Sequence, residues 1–240
     1  MLLLLPDCGQ RAQDLYREIG AMVNQLAGEG YDVLIADWRG KGFSRPLVNR
    51  RSKWGLHELI CEDIPALFGK LDNLRPGAPL FCFGVGVSNV LLVSSLARFD
   101  NKMQQPRALV QMNPVRRRAS GFRLGPLRQA LSRESAGVSK ELLGWRGGAW
   151  TDPVDGFNYR VAARCARIPA SLYLYSGARQ RLAMDLWMED LGKHNARLIQ
   201  ISKRLLAAQK ASTASAALKS VAADFNFYQI HGWFDEFMQN

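Results

Sequence analysis

The chain has 240 residues, of which 48% are hydrophobic, and it carries a formal net charge of +11. This length and apolar content suffice for one large α/β domain or two small ones, and they exclude a disordered chain. No apolar run approaches the roughly 18 residues of a membrane span. The leucine-rich stretch before Pro6 lacks the length and basic flank of a signal peptide. We therefore predict a cytoplasmic protein.

Cysteine and histidine usage gives no sign of a bound metal or cofactor. The four cysteines are scattered without paired spacing, which argues against a disulfide framework or a zinc site and fits a reducing compartment. The three histidines form no metal motif. We accordingly predict no metal and no cofactor. These residues are Cys8, Cys61, Cys82, Cys165, His57, His194 and His231.

Basic residues are concentrated in one segment. Between Val115 and Arg146 there are eight lysines and arginines but only Glu134 and Glu141 as acidic residues. Such a patch suits an acidic ligand, an anionic partner or a membrane surface. The alternative is a solvated basic face, and no nucleic-acid-binding module accompanies the patch.

Predicted strands alternate with predicted helices along the chain, which is typical of βαβ units and a mainly parallel sheet. The predicted strands are Leu2–Leu5, Tyr31–Ala36, Leu80–Phe83, Ala108–Met112, Ala170–Tyr175 and Arg197–Ile201. The predicted helices are Ala12–Ala27, Leu56–Leu71, Val90–Ala97, Met184–Leu191 and Leu205–Ala223.

The alternating pattern is interrupted between Val115 and Arg167, where glycine and arginine are frequent and no strong strand is predicted. An insertion after a strand end of an open α/β sheet lies beside the ligand crevice. We predict a single domain over residues 1–240 that contains a lid insertion over residues 115–167.

The stretch from Pro79 to Arg98 predicts a buried strand, a sharp turn and a helix. Gly84, Gly86 and Ser88 occupy alternate positions at the turn. Small residues spaced by two are typical of the nucleophile elbow, G-x-S-x-G. The apex is Gly86, which has no side chain with which to attack a substrate.

Six segments in order resemble the α/β-hydrolase superfamily of lipases, esterases and serine aminopeptidases. The resemblance implies an α/β-hydrolase fold with a parallel sheet flanked by helices. The segments are Leu2–Gln10, Gly30–Ser44, Trp54–Leu67, Leu80–Asn89, Ser176–Leu182 and Gly232–Asp235. The first two resemble the first strand with its oxyanion loop and the D-x-R-G-x-G-x-S segment. The third and fourth resemble the helix before the elbow and the elbow itself. The last two resemble the acid-bearing turn and the terminal G-H-x-D motif.

The resemblance places the catalytic triad at Gly86, Gln180 and Trp233. Glycine cannot be acylated, glutamine carries no charge, and indole does not accept a proton at neutral pH. The resemblance therefore implies a catalytically degenerate member. It also places the oxyanion-hole amides at Asp7 or Cys8 and at Val87, where they remain able to bind a carbonyl or carboxylate.

Other residues offer a displaced triad. Ser88 is the alternative nucleophile, although a helix cap or packing role is favoured. His231 is the alternative base, with Asp235 or Asp224 to orient it. A buried structural thiol is predicted for Cys82.

Three functions follow from this pattern. The favoured one is a non-catalytic homologue that binds a small apolar or acidic ligand, or a protein partner, through the old pocket and the basic lid. The alternative is an active ester or acyl hydrolase that uses Ser88 and His231. The third is a lyase, or another enzyme that keeps the pocket and the oxyanion donors but needs no covalent serine.

Overall fold

The computed structural model describes residues 1–49, 51–100, 102–114, 133–175, 177–200 and 227–238, with only the backbone at residues 227–229. Six parallel strands form one sheet in the order β2-β1-β3-β4-β5-β6. The strands are β1 (Leu2–Leu5), β2 (Val33–Ile35), β3 (Phe81–Val85), β4 (Ala108–Met112), β5 (Ala170–Tyr175) and β6 (Ala196–Gln200).

The described helices are α1 (Ala12–Gly28), α2 (Leu56–Glu58), α3 (Ile64–Leu74), α4 (Val87–Arg98), α5 (Ala136–Arg146), α6 (Tyr159–Cys165), α7 (Ala178–Leu191) and α8 (Phe227–Asp235). A π-helical segment, Leu59–Asp63, joins α2 to α3. The predicted helix Leu205–Ala223 lies outside the described residues.

The two faces of the sheet bury separate apolar cores, because successive side chains of a strand point in opposite directions. Leu3 and Leu5 of β1 join the core that contains α3, α4, α6 and α7. Leu2 and Leu4 join the core that contains α1 and α8. All four leucines are at most 1% exposed, as a strand covered on both faces requires.

The helix predicted over Leu56–Leu71 is present but is not uniformly α-helical. Ile64 donates its N–H to the Leu59 carbonyl, and Pro65 follows at the first turn of α3. Proline has no N–H to continue an α-helical ladder, so the wider π turn falls directly before it. Pro65 thus marks the start of α3.

The described part of the predicted lid, residues 133–167, packs on the sheet face that carries α4. Trp145, Trp150 and Tyr159 are buried in the same core as α4, and Trp150 Nε1 donates to Ser94 Oγ of α4 at 3.0 Å. Residues 115–132, which carry most of the basic patch, lie outside the described residues. Among the described residues, no helix is both long enough and apolar enough to cross a membrane.

Candidate functional site

The predicted elbow is present at Gly86. The residue lies between β3 and α4 with φ 59° and ψ −122°. Its N–H donates to the Met112 carbonyl at 2.9 Å, which places the turn at the carboxyl-terminal edge of the sheet. Positive φ at this turn favours glycine, and the tight geometry expected of a nucleophile elbow is retained.

The Asp7 carboxylate occupies the space around the apex. Its Oδ1 accepts the Val87 N–H at 2.8 Å and the Cys8 N–H at 2.7 Å. A Cβ atom added to Gly86 would overlap the same carboxylate. Asp7 therefore stands where a nucleophile side chain and a substrate oxyanion would both be found. The expected backbone donors are present, but they are already satisfied within the chain, because the carboxylate is held between them.

Burial raises the pKa of Asp7 to about 6, against the opposing effect of the two N–H donors. The charge of Arg146 also lowers this pKa, and that of Glu134 raises it. The group at the centre of the site is thus a carboxyl that titrates near pH 6.

A buried ion pair lies beside this carboxylate. Glu134 Oε1 contacts Lys41 Nζ at 2.5 Å and accepts the Gly9 N–H at 2.8 Å and the Cys8 thiol at 3.2 Å. The side chains of Lys41 and Glu134 are only 5% and 7% exposed. Burial raises the pKa of Cys8 well above its ordinary value, with a further contribution from Glu134, so this thiol is not an activated nucleophile.

Ser88 is buried and fully engaged in the first turn of α4. Its hydroxyl donates to the Pro6 carbonyl, and Trp38 Nε1 donates to Ser88 Oγ at 3.2 Å and to Pro6 at 3.0 Å. The hydroxyl makes no helix cap. Ser88 therefore joins the end of β1 to α4, which is the packing role rather than the capping role.

Trp233 is not at the elbow, so its assignment to the triad is corrected. It lies within α8, is 2% exposed and donates from Nε1 to the Leu109 carbonyl at 3.2 Å. Leu109 precedes Met112, the elbow's partner, by three residues of β4, or roughly 10 Å. Ile230, Trp233 and Phe234 are all buried, and this spacing is that of a helix face rather than of a G-H-x-D turn.

The displaced triad is likewise not assembled. His231 pairs with Asp235 at 3.0 Å, and its ring packs on Tyr31 with centroids 5.9 Å apart. Tyr31 precedes β2 and also contacts Phe81, the first residue of β3. His231 and Asp235 therefore lie at the amino-terminal edge of the sheet, opposite Ser88. Asp224 lies outside the described residues.

Two further predicted positions have clear structural settings. Gln180 is half-buried in the first turn of α7, and it follows β5 at the same sheet edge as the elbow. Ser176, at the start of the resembling turn, lies outside the described residues. Cys82 is fully buried in β3, as predicted, and burial raises its pKa.

A second polar cluster was missed from the sequence. His57 Nδ1 lies 2.9 Å from Asp152 Oδ2 and 3.8 Å from Cys61 Sγ. The spacing of four between His57 and Cys61 is a signal for one helix face. Asp152 lies 95 positions from His57 in the sequence, so its approach could not be read from local pattern.

The sequence matches the family described as serine aminopeptidase, S33 over residues 11–140, which is more than half of the chain. The chain belongs to the serine aminopeptidase S33 family. Its sheet order and flanking helices form an esterase- and lipase-like α/β-hydrolase fold, as the resemblance predicted. No significant match is found among curated proteins.

Three of the solved structures similar to this S33 family member are those of a hydrolase, a lipase and a carboxylesterase. A hydrolase from Oleispira antarctica is 16% identical with a TM-score of 0.57, covering 100% of this chain and 90% of its own. A soluble variant of monoglyceride lipase from Saccharomyces cerevisiae, in complex with a substrate analog, is 12% identical with a TM-score of 0.62, covering 98% and 85%. A carboxylesterase structure from Nitrososphaera gargenis is 12% identical with a TM-score of 0.59, covering 99% and 90%. These likenesses establish the fold alone.

Proposed function

We propose that this chain is a catalytically inactive S33 family member that uses the hydrolase framework as a binding or regulatory protein. One observation carries the proposal: the Asp7 carboxylate holds the Val87 and Cys8 N–H groups beside an apex that is glycine. Acyl transfer needs a nucleophile at the apex and free donors for the oxyanion. Asp7 and Gly86 together remove both requirements.

The alternative of an ester or acyl hydrolase with displaced residues has less support. Ser88 Oγ is buried between Pro6 and Trp38, and His231 lies at the opposite sheet edge. A serine needs a base within hydrogen-bond reach to become nucleophilic. The lyase alternative also needs free oxyanion donors, which Asp7 occupies.

The charge of the Asp7 carboxylate also affects which kind of ligand the elbow would bind. A ligand carboxylate placed at the elbow would approach a like charge at neutral pH, which disfavours the acidic ligand at this point. We propose that the elbow accepts a neutral or amine hydrogen-bond donor, and that an anionic partner is met by the basic segment 115–167. Arg133 and Lys140 belong to the described part of that segment.

A fluorophosphonate probe and a panel of short and medium acyl esters test the catalytic proposal. We expect no labelling and no turnover above the buffer rate, while a known serine hydrolase in the same assay reacts. Labelling of Ser88, mapped by peptide mass spectrometry and lost in Ser88→Ala, would overturn the proposal. Ester turnover without probe labelling that disappears in Asp7→Asn would instead assign catalysis to the Asp7 carboxylate. That result would also overturn the proposal.

Thermal-shift screening tests the binding proposal, because a ligand that binds only the folded state raises its stability. Primary amines and matched carboxylates of equal chain length form the panel. We expect stabilisation by amines that is lost in Asp7→Asn. Stabilisation by the carboxylates alone, unchanged in this variant, would contradict the assignment of the elbow as a donor-binding site.

A further inference from the structure

His57, Cys61 and Asp152 bring an imidazole, a thiol and a carboxylate together on the α4 side of the sheet. His57 is in α2 and Cys61 is in the π segment, four residues later. Asp152 comes from the chain between α5 and α6. One ligand atom from each residue lies within 4.8 Å of the other two. This convergence involves residues 57 and 152, which are distant in sequence.

The distances approach those of a metal centre. Bonds of about 2.0 to 2.3 Å in a tetrahedral zinc site place ligand atoms roughly 3.3 to 3.8 Å apart. The Cys61 Sγ to His57 Nδ1 distance is already 3.8 Å. The His57 Nδ1 to Asp152 Oδ2 distance is 2.9 Å and would have to lengthen only slightly to reach this range. The His57 side chain is 24% exposed, so the cluster is accessible from solvent.

We propose that His57, Cys61 and Asp152 form a three-ligand site for zinc, with water as the fourth ligand. Nitrogen, thiolate sulfur and carboxylate oxygen together match the borderline-soft character of zinc better than that of magnesium or calcium. Three protein ligands with one open position are typical of zinc sites that bind a further small molecule.

Surrounding groups support the carboxylate that would bind the metal. Tyr159 OH donates to Asp152 Oδ2 at 2.5 Å, and the Val154 N–H donates to Oδ1 at 2.9 Å. Such hydrogen bonds orient a ligand carboxylate in the way that outer-shell groups of metal sites do. Asp152 is thus held in place by hydrogen bonds other than its contact with His57.

Arg98 is the group that opposes a cation here. Its Nη1 lies 3.2 Å from Asp152 Oδ2, and its Nη2 pairs with Asp155. With Cys61 as thiolate, the charges of Cys61, Asp152 and Asp155 exceed that of Arg98 by two negative units, which a divalent cation neutralises. Burial raises the pKa of Cys61 to about 11, so zinc must displace the thiol proton on binding.

The site is separate from the elbow. Gly86 precedes the first residue of α4, whereas Arg98 is its last residue, and a helix of 12 residues is roughly 18 Å long. Zinc binding is therefore testable independently of the proposed loss of catalysis.

Metal titration of the untagged, chelator-treated full chain tests the site. We expect one equivalent of zinc per chain by calorimetry, and a thiolate-to-metal charge-transfer band when cobalt(II) replaces zinc. Cys61→Ser should remove the band and weaken zinc binding at least about tenfold. His57→Asn should also weaken binding, whereas Cys165→Ser and His231→Gln, which alter an exposed thiol and a half-buried histidine of α8, should leave both readouts unchanged.

Alkylation of the wild-type chain gives a second readout that does not depend on a variant's folding. Zinc should slow iodoacetamide labelling of Cys61, mapped by mass spectrometry, and leave labelling of exposed Cys165 unchanged. Absence of stoichiometric binding, equal protection of both cysteines, or a cobalt band that survives Cys61→Ser would each overturn the proposal.

Discussion

Asp7 Oδ1 lies 2.8 Å from the backbone nitrogen of Val87, the residue that follows the elbow apex. The two residues are 80 positions apart, and their hydrogen bond ties the turn after β1 to the first turn of α4. A backbone donor that would face substrate in an acyl-transfer enzyme is here part of the internal hydrogen bonding of the fold. The charge on Asp7 and the absence of a side chain at Gly86 therefore have measurable consequences for stability.

Replacing Asp7 by asparagine should stabilise the protein at alkaline pH. The folded pKa of about 6 is above the ordinary value of 3.8, so the native state binds the extra proton between these values and stability falls as pH rises through them. The amide oxygen of the replacement still accepts from both N–H groups, without this penalty. Urea unfolding should show a gain on the order of 2 to 3 kcal/mol at pH 8 that shrinks toward pH 4.

Asp185→Asn, on an exposed position of α7, is the matched control and should show no comparable gain. A variant at Asp7 that is less stable than wild type at pH 8, or a gain that does not change with pH, would contradict a desolvated carboxylate at the elbow.

Restoring serine at the apex should destabilise the chain. In Gly86→Ser the new Cβ overlaps the Asp7 carboxylate at a residue with positive φ, and overpacking with backbone strain costs about 2 to 4 kcal/mol. Gly77→Ser is the control, since Gly77 also has positive φ but has nothing within 4 Å of an added Cβ. The loss should be smaller in this control.

The Gly86→Ser loss should be relieved by a second change, Asp7→Gly. Residues in direct contact couple in a double-mutant cycle, and we expect a coupling of at least about 1 kcal/mol. Additive losses would mean that the carboxylate and the apex do not compete for the same space.

Ser88→Ala should lower stability by about 1 kcal/mol and leave fluorophosphonate labelling at background. The lost hydroxyl removes a donor to Pro6 and an acceptor for Trp38, while the direct bond from Trp38 Nε1 to Pro6 remains. Thermal unfolding and probe labelling, measured on the same preparation, separate a packing role from a nucleophilic one. Labelling of the wild-type protein that is absent in the variant would indicate a nucleophilic role for Ser88.

Asp152→Asn should show the opposite pH dependence to the Asp7 variant. Burial acts to raise the pKa of Asp152, but hydrogen bonds from Tyr159, Val154 and His57 outweigh it and hold the pKa below its ordinary value. The ionised carboxylate therefore contributes stability above about pH 4, and this contribution is lost as pH falls through the folded pKa.

We expect Asp152→Asn to lose about 3 to 5 kcal/mol at pH 7, as for a broken buried ion pair, and less below pH 4. Asp155→Asn, which removes the exposed partner of the same Arg98, should have a smaller effect. Equal losses for the two variants in urea unfolding would argue against a central role for Asp152.

The strand–helix alternation and the elbow could be predicted because both depend on local pattern. The runs Leu2–Leu5 and Ala108–Met112 are buried strands at the predicted bounds. The turn at Gly86 followed from small residues at alternate positions. Gly232–Asp235 does not form the catalytic turn that its four-residue resemblance implies, because the buried positions Ile230, Trp233 and Phe234 have the apolar spacing of a helix face.

The state of the site could not be predicted, since it depends on contacts between distant segments. Nothing near Asp7 in the sequence indicates that its carboxylate reaches Val87, and nothing near His57 indicates Asp152. The four-residue spacing of His57 and Cys61 is the one part of this cluster that the local sequence shows. It indicates a metal site only when a third ligand lies nearby in the fold. Side-chain convergence of this kind is set by the packed tertiary structure.

The contact between Asp7 and Gly86 restricts the order in which mutations can accumulate. A lineage that acquires serine at position 86 while aspartate remains at position 7 passes through an intermediate with steric overlap. A lineage that first shortens residue 7 meets no such barrier. Gain of a serine at the apex is therefore contingent on which of the two positions changes first, and a selection that rewards ester cleavage in one step should find no single substitution at the apex.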